Sequence, residues 1–212
     1  MSDKKIKSFL QLISVEDAHS CFPRFPHVTK NINAYWQIIC TCLDKKQLPR
    51  TKEFMGYVIG TLRAENESLS CAVEKPSSLN SRRLPFDRYE FREDLGNIDP
   101  GDGEKFKGRG FGQLTGKANY FRIGKKIGLP LVAHPELAAA PQAAAEVFAE
   151  FLFSIQDQVM VFLTIKPENY LQQARKLYNG GTNGMTRFLE GYNVTQKVIE
   201  RKQARMERGA GS

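Results

Sequence analysis

Apolar residues recur three and four positions apart in several stretches of the chain, which is the spacing of one buried helix face. This spacing predicts helices over positions 32–43, 144–155 and 171–178, and a last helix from about 186 to 205. Pro141 stands near the start of the second helix, and Asn179 and Gly180 form a stop signal after the third. The chain is therefore predicted to be mainly α-helical.

Strand-like alternation is short by comparison. Only the segment 105–115, KFKGRGFGQLT, has the composition of a small hairpin edge, and no run alternates long enough for a large sheet. The Ser- and Arg-rich stretch from Pro76 to Pro85 is predicted to be a mobile loop. We therefore expect a mainly α fold with one small β element.

Another helix is predicted to carry a carboxylate at its end. Thr51 suits the N-cap, apolar residues between 55 and 62 form the buried stripe, and Glu65 follows Leu62 on the same side. Partial burial raises the pKa of a carboxyl group, as a general acid requires. Glu67 competes for this role, and the alternative is that both are solvated helix-end acids.

Glycines, carboxylates and amides are unusually dense between Arg88 and Tyr120. Glycine is used where the backbone takes a positive φ or approaches a ligand closely. Six glycines fall within sixteen positions of this stretch, namely Gly101, Gly103, Gly108, Gly110, Gly112 and Gly116. Their density indicates the wall of an active site.

The amino-acid sequence of this stretch resembles that of the family 19 glycoside hydrolases, the group of chitinases and phage endolysins. That signature is Tyr-Glu-Gly-Arg-x-Asp-Leu-Gly-Asn, then Gly-Asp-Gly and Gly-Arg-Gly-x-x-Gln-Leu-Thr-Gly, and here the positions read YEFREDLGN, GDG and GRGFGQLTG. Later segments, HPELAAAPQAAAEVFAEF and YNGGTNGMTRFLEGY, extend the resemblance over roughly 54–200. The chain departs from the family at Ala64, where a His is usual, and at 66–68, where Thr/Ser-Gly-Gly is usual.

The resemblance implies a lysozyme-like fold with two lobes around a cleft and the small β element at that cleft. It also implies hydrolysis of β-1,4 bonds between N-acetylated amino sugars with inversion, without a metal or other cofactor. Inverting enzymes hold two carboxyl groups roughly 6.5 to 9.5 Å apart, so that a water fits beyond the sugar. Glu65 matches the proton donor.

Two residues compete to be the second carboxylate. Glu74 lies nine residues after Glu65 and follows Val73, as the second functional glutamate does in similar endolysins. Glu90 is the rival, because its YEFR segment lines the family's cleft. Its alternative role is a structural ion pair with Arg88 or Arg92, which contributes little when exposed.

Other site residues are carried over from the same motifs. Thr115 matches the hydroxyl that helps hold the attacking water; its alternative role is the N-cap of the next helix. The implied substrate-binding residues are Gln113, Asn119, Arg109, Tyr120, Asn179 and Arg187. The alternatives are that the amides at 113 and 119 brace the glycine loop and that Arg187 pairs with a surface acid.

Charge and composition narrow the class of partner. The 212 residues include 31 Lys+Arg and 23 Asp+Glu, a formal charge of +8, which favours approach to polyanions. Basic residues lack interleaved aromatics, so nucleic acid is not expected. We see no signal peptide and no membrane span. Cys21, Cys40, Cys42 and Cys71 are expected to be reduced core thiols, a disulfide involving Cys71 being the alternative.

Peptidoglycan is favoured over chitin, because the chain is basic, has no Cys-rich chitin-binding module and has the shorter endolysin-like carboxylate spacing. A chitinase is the first alternative, and a non-catalytic glycan-binding protein, motivated by the altered residues around Glu65, is the second. We expect a monomer with an N-terminal helical extension over 1–50 and a catalytic domain over 51–212, the two forming one compact unit. The protein is expected to reach the cell wall through lysis, a holin or contact-dependent secretion. If it is a toxin, its producer is expected to carry an immunity protein.

Overall fold

A computed structural model describes residues 8–76 and 86–209. These residues form mainly α-helices, joined by short 3-10 turns and loops. In chain order, α1 to α9 are Phe9–Leu12, Val15–Cys21, Pro26–Lys45, Lys52–Asn66, Asp102–Lys105, Lys117–Ile127, Pro141–Ile165, Tyr170–Asn179 and Met185–Gly209.

The predicted helices are present. The 32–43 pattern lies within α3, the 144–155 pattern lies within α7, and α7 begins at Pro141. Helix α8 ends at Asn179, with Gly180 at its C-cap in a left-handed conformation, φ 71°. Helix α9 begins at Met185 and continues to Gly209, four residues beyond the predicted end. The mainly α class is therefore confirmed.

The chain divides into two compact units. The first unit contains the described residues up to Leu69 and those from Leu152 onward, and the second contains 70–151. Residues 8–50 thus pack in the same unit as α4, α8 and α9. The domain boundary at residue 50 stays a prediction.

In the first unit, α4 and α9 approach each other through glycines. A methyl group at Gly60 would lie 2.7 Å from the backbone oxygen of Phe188, and one at Gly191 would lie 3.0 Å from the Cα of Gly60. Such contacts leave no room for a larger side chain at either position. The N-terminal helix α2 contacts α9 through Asp17, whose carboxylate accepts from Lys202 Nζ at 2.6 Å, and Trp36 Nε1 in α3 donates to the Ile13 oxygen at 2.9 Å.

The second unit is built around a smaller apolar core. Its fully or largely buried residues are Phe106, Leu114, Tyr120, Ile123, Leu131, Ala138 and Val147. The predicted β element consists of antiparallel bridges, Val73 with Arg109 and Arg109 with Leu114. Within residues 8–76 and 86–209 these bridges do not extend into a strand. Arg109 therefore ties three chain segments together.

Helix α7 is long and apolar enough, by length and composition alone, to cross a membrane. The core helix of a water-soluble protein passes the same test, and α7 buries Ala144, Phe148, Leu152, Val159 and Leu163. The absence of a membrane span stays a prediction. Most of the loop predicted between Pro76 and Pro85 lies outside the described residues.

The four cysteines are free thiols. Cys21, Cys40 and Cys42 are buried, while Cys71 is half-buried. Burial raises the pKa of the Cys21 and Cys71 thiols to about 11, and raises that of Cys40 further. These three thiols are thus protonated near neutral pH, as expected of structural cysteines rather than reactive ones.

Candidate functional site

Helix α4 holds Glu65 one residue before its end. The helix begins at the predicted cap, where the Thr51 hydroxyl accepts a hydrogen bond from the Phe54 N–H at 3.1 Å. The stripe from Met55 to Leu62 is buried, and the Glu65 side chain is 16% exposed. Glu65 is therefore a half-buried carboxylate on the apolar side of α4, as the sequence predicts.

An arginine from α8 anchors this carboxylate. The Nη2 of Arg175 donates to Glu65 Oε1, and also to the Asn183 backbone oxygen at 3.2 Å. The Arg175 side chain is 1% exposed, and its Nε and Nη1 atoms have no hydrogen-bond partner among the described residues. A guanidinium buried this deeply needs a negative partner. The structure supplies one in Glu65.

Tyrosines flank the same pair. The Tyr57 hydroxyl donates to the Ala174 backbone oxygen at 3.1 Å. Burial, and then the negative charge of Glu65, raise the pKa of Tyr178 well above its ordinary value. Tyr178 therefore stays a neutral phenol beside the Glu65–Arg175 pair at all working pH values.

Glu67, the rival of Glu65, lies in a more open network. Its side chain is 33% exposed, and its carboxylate oxygens lie 3.3 Å from Arg63 Nη2 and 3.8 Å from Arg187 Nη1. Arg63 also reaches Glu190 at 2.6 Å. Glu67 thus has one buried ion-pair partner, Arg63, and one exposed partner, Arg187. This contact matches the alternative role of Arg187 as the partner of a surface acid.

Glu74 in the second unit receives hydrogen bonds on both carboxylate oxygens. Oε1 accepts from the Tyr89 hydroxyl at 3.0 Å and from Arg88 Nη2 at 3.2 Å, while Oε2 accepts from the Gly108 N–H at 3.0 Å. Burial raises the pKa of Tyr89, so its hydroxyl remains a donor. The Glu74 side chain is 19% exposed. These donors fix the position of Glu74 and leave part of it open to solvent.

Glu90 holds the glycine turn of the same unit. Its carboxylate accepts the N–H of Gly101 and the N–H of Gly103, the latter at 2.7 Å. A methyl group at Gly103 would lie 2.8 Å from the Phe86 backbone oxygen and 2.9 Å from the Glu90 backbone nitrogen, so this position requires glycine. The arginines suggested as partners for Glu90 lie elsewhere in the network: Arg88 pairs with Glu74, and Arg92 pairs with Asp94.

The Gln113 to Asn119 segment is braced by its own polar side chains. Gln113 Nε2 donates to the Gly110 oxygen at 3.0 Å and to the Ala72 oxygen at 3.3 Å. The Thr115 hydroxyl donates to the Gln113 oxygen at 2.9 Å, and Asn119 Nδ2 donates to the Thr115 oxygen at 2.9 Å. Gly116 is the N-cap residue of α6, which has no side-chain cap, so Thr115 does not have that alternative role.

Arg109 and Tyr120 hold the backbone of residues 105–107 through hydrogen bonds. Arg109 Nη1 donates to the Tyr120 hydroxyl at 2.9 Å and to the Lys105 oxygen at 2.8 Å. The Tyr120 hydroxyl donates to the Lys107 oxygen at 2.8 Å, and burial raises the pKa of Tyr120 to about 12. Tyr120 is fully buried and offers a substrate no surface. Its predicted part in binding therefore has to act through Arg109 and the loop.

Asn179 lies in the first unit and closes the Asn-Gly-Gly turn. Its Oδ1 accepts from the Gly181 N–H at 3.0 Å, and its Nδ2 donates to the Asn183 oxygen at 3.4 Å. Asn183 also accepts from Arg175. The turn after α8 is thus connected, through Asn183, to the arginine that anchors Glu65.

The sequence reasoning missed Arg175. Its signal is position: it follows the predicted core residue Ala174 and precedes Tyr178 by three, so it shares a helix side with a buried tyrosine. Charged residues are read as exposed by default, because arginine is almost never fully buried unless it is paired. The partner, Glu65, lies 110 positions away in the chain.

Asp102, also missed, organises the loop next to Glu90. Its carboxylate accepts from the N–H groups of Ile98 and Asp99 at 3.1 and 3.0 Å and from Lys117 Nζ at 3.1 Å. Burial raises the pKa of Asp102, but the Asp99 N–H, the Lys117 ammonium and the Ile98 N–H outweigh burial and lower it below the ordinary value. Asp102 is therefore a structural carboxylate.

Clusters of three or more His, Cys, Asp or Glu side chains that suit a metal ion are not found in residues 8–76 and 86–209. The expectation that the protein needs neither a metal nor another cofactor stays a prediction.

Comparison with known proteins identifies the fold. No protein-family model matches the chain, and no curated protein matches it. Chitinase C from Streptomyces griseus HUT6037 is similar in structure, with a TM-score of 0.55 and 16% identity over 94% of this chain and 80% of that chain. A chitinase C mutant with glutamine in place of a glutamate gives a TM-score of 0.53 and 15% identity, covering 89% and 93%.

These likenesses cover nearly the whole chain and show that it has the fold of chitinase C. That fold is mainly helical, and it agrees with the resemblance to the family 19 enzymes seen in the sequence.

Proposed function

We propose that the protein is a glycoside hydrolase that cleaves β-1,4 bonds between N-acetylated amino sugars with inversion. The observation that carries this proposal is the half-buried Glu65, hydrogen-bonded to the almost fully buried Arg175 at the end of α4. A carboxyl group held in this way has a defined position, from which a proton can be transferred to a bound substrate. The fold of chitinase C is consistent with this chemistry.

In this proposal Glu65 donates the proton to the leaving oxygen, and Glu74 takes a proton from the attacking water. Glu74 suits the role because the Tyr89 hydroxyl, Arg88 Nη2 and the Gly108 N–H orient its carboxylate without occupying all of its lone pairs. Thr115 would hold the water with the lone pairs of its hydroxyl, whose hydrogen is directed to Gln113. Glu90 is less suited, since its carboxylate holds the glycine turn together through the N–H groups of Gly101 and Gly103, which is a structural role.

Peptidoglycan is the substrate that we propose first. The anionic polymers of the bacterial cell wall attract a chain of formal charge +8. Chitin is the second candidate, supported by the structural likeness to chitinase C. Release by lysis, by a holin or by contact-dependent secretion, and an immunity protein in the producer of a toxin, remain part of the peptidoglycan proposal.

The test compares both polymers with one set of proteins. Wild type, Glu65→Gln and Glu67→Gln are incubated with outer-membrane-permeabilised cells and with colloidal chitin, and released fragments are analysed by mass. Wild type and Glu67→Gln should clear the cells and release muropeptides, while Glu65→Gln should not. Fragments from chitin alone would assign the chitinase alternative. Binding to either polymer without any release would leave a glycan-binding protein and end the hydrolase proposal.

A further inference from the structure

Phe91 combines a left-handed backbone conformation with an exposed side chain. Its φ is 54°, in the left-handed region that residues with a Cβ rarely adopt, and its side chain is 62% exposed. Glycine adopts this conformation without steric conflict. Phe91 also occupies the position of the glycine in the motif quoted above, Tyr-Glu-Gly-Arg.

A second phenylalanine shows what normally offsets such strain. Phe86 has a φ of 65°, but its side chain is 1% exposed. Its ring stacks on Tyr89 with the centroids 6.5 Å apart, and Lys107 Nζ lies 4.8 Å from its centroid. Burial of the Phe86 ring stabilises the fold enough to hold the strained backbone. Phe91 has no comparable burial.

The backbone on both sides of Phe91 is fixed by hydrogen bonds. Glu90 accepts the N–H groups of Gly101 and Gly103. The Arg92 oxygen accepts the N–H groups of Leu95 and Asn97, each at 3.0 Å, and Asn97 Nδ2 donates to the Tyr89 oxygen at 2.8 Å. The ring of Phe91 is thus presented to solvent from a preorganised loop, which lowers the entropy lost when a ligand binds.

The chemistry around the ring favours a sugar. Residues 92–94, which follow it, are exposed and charged, so along the chain the ring is a single apolar face between polar groups. Protein-binding surfaces instead present contiguous apolar patches. A pyranose ring has an apolar face of C–H groups that fits one aromatic ring, and an N-acetyl group adds a methyl. Tyr89, two residues earlier, donates to Glu74.

We propose that Phe91 is a substrate-binding residue whose ring stacks on an N-acetylated amino sugar of the glycan, on the same unit as Glu74. This inference rests on the proposed function. Stacking on a sugar away from the bond that breaks contributes equally to the ground and transition states, so it lowers KM and leaves kcat unchanged.

The experiment uses Phe91→Gly, Phe91→Trp and the control Phe86→Gly in the full chain. KM and kcat are measured on soluble oligomers of the cleaved glycan, and the melting temperature is measured alongside. Phe91→Gly should raise KM by about tenfold, which corresponds to about 1.4 kcal/mol, and change kcat by less than about twofold. Phe91→Trp, which keeps an aromatic ring at this position, should have a KM close to that of the wild type.

The melting temperature separates binding from folding. Phe91→Gly should leave it unchanged or raise it by roughly 2 to 4 °C, because the left-handed strain is relieved, whereas Phe86→Gly should lower it. A clear fall in Phe91→Gly, or an unchanged KM, would overturn the stacking role. If the wild type is active and Phe91→Gly has an unchanged KM, only the stacking role of Phe91 is refuted. A wild type that neither binds nor cleaves amino-sugar polymers removes the proposed function and the stacking role together.

Discussion

Arg175 and Glu65 form a pair between α8 and α4 in which the guanidinium is almost fully buried and the carboxylate is partly open. Because Arg175 also binds the Asn183 oxygen, the pair fixes the turn that follows α8. The same two side chains therefore stabilise the first unit and hold the residue that we propose as the proton donor.

Glu65→Gln should reduce turnover by about 10² to 10⁴, the usual contribution of general acid catalysis, because an amide cannot donate the proton. The fold should persist at a lower melting temperature, since Gln can still accept from Arg175 but leaves the buried guanidinium without a negative partner. Circular dichroism and initial rates on the cleaved glycan check both points. Glu67→Gln is the matched control, and it should keep wild-type turnover. A folded Glu65→Gln protein with full activity would remove Glu65 from the mechanism.

Arg175→Met should lower the free energy of unfolding by about 1 to 3 kcal/mol, because Glu65 and the Asn183 oxygen lose their donor in a partly buried site. Urea denaturation followed by circular dichroism measures the change. The double variant Arg175→Met, Glu65→Gln should be less destabilised than the sum of the single variants, since the charges act on each other. Additive effects would show that the pair is not coupled.

Glu74→Gln should affect hydrolysis, whereas Glu90→Gln should affect thermal stability. Glu74→Gln is expected to retain glycan binding and lose hydrolysis, as removal of a base predicts. Glu90→Gln is expected to lower the melting temperature by roughly 2 to 4 °C, because hydrogen bonds to Gly101 and Gly103 lose their charge. Co-sedimentation with the polymer, initial rates and calorimetry separate these outcomes. Wild-type turnover in Glu74→Gln would transfer the base role or refute the two-carboxylate mechanism.

Asp102 predicts a pH-dependent stability. Its pKa is lower in the folded protein than in the unfolded chain, so its stabilising contribution is complete above the unfolded value of about 3.9 and is lost as pH falls through the folded value. Asp102→Asn should therefore melt several degrees, roughly 2 to 6 °C, below wild type at pH 7. The gap should narrow at pH 3. An equal gap at both pH values would show that the Asp102 charge does not matter.

The sequence predicted the elements whose signals are local. The Thr51 cap and the stripe from 55 to 62 placed Glu65 on the buried side of α4, where it is found. Pro141 and Gly180 marked the start of α7 and the end of α8. Each of these signals depends on residues within a few positions of one another.

Contacts between distant segments could not be predicted in the same way. The partner of Glu65 lies in α8, and two of the donors to Glu74, Tyr89 and Gly108, lie 15 and 34 residues later in the chain. Nor does the sequence distinguish Phe86, whose ring is buried, from Phe91, whose ring is exposed. These differences arise only when the chain folds back on itself.

The stereochemistry of the first product tests the central claim most directly. Because the proposed mechanism places a water opposite the leaving group, the new reducing end should appear first as the α-anomer. Thr115→Val, which removes the water-holding hydroxyl at nearly constant volume, should slow this reaction without abolishing binding. Proton NMR of the released sugar end, recorded before mutarotation, measures the anomer. An initial α-anomer is the predicted result, and an initial β-anomer would contradict the water-activating roles of Glu74 and Thr115.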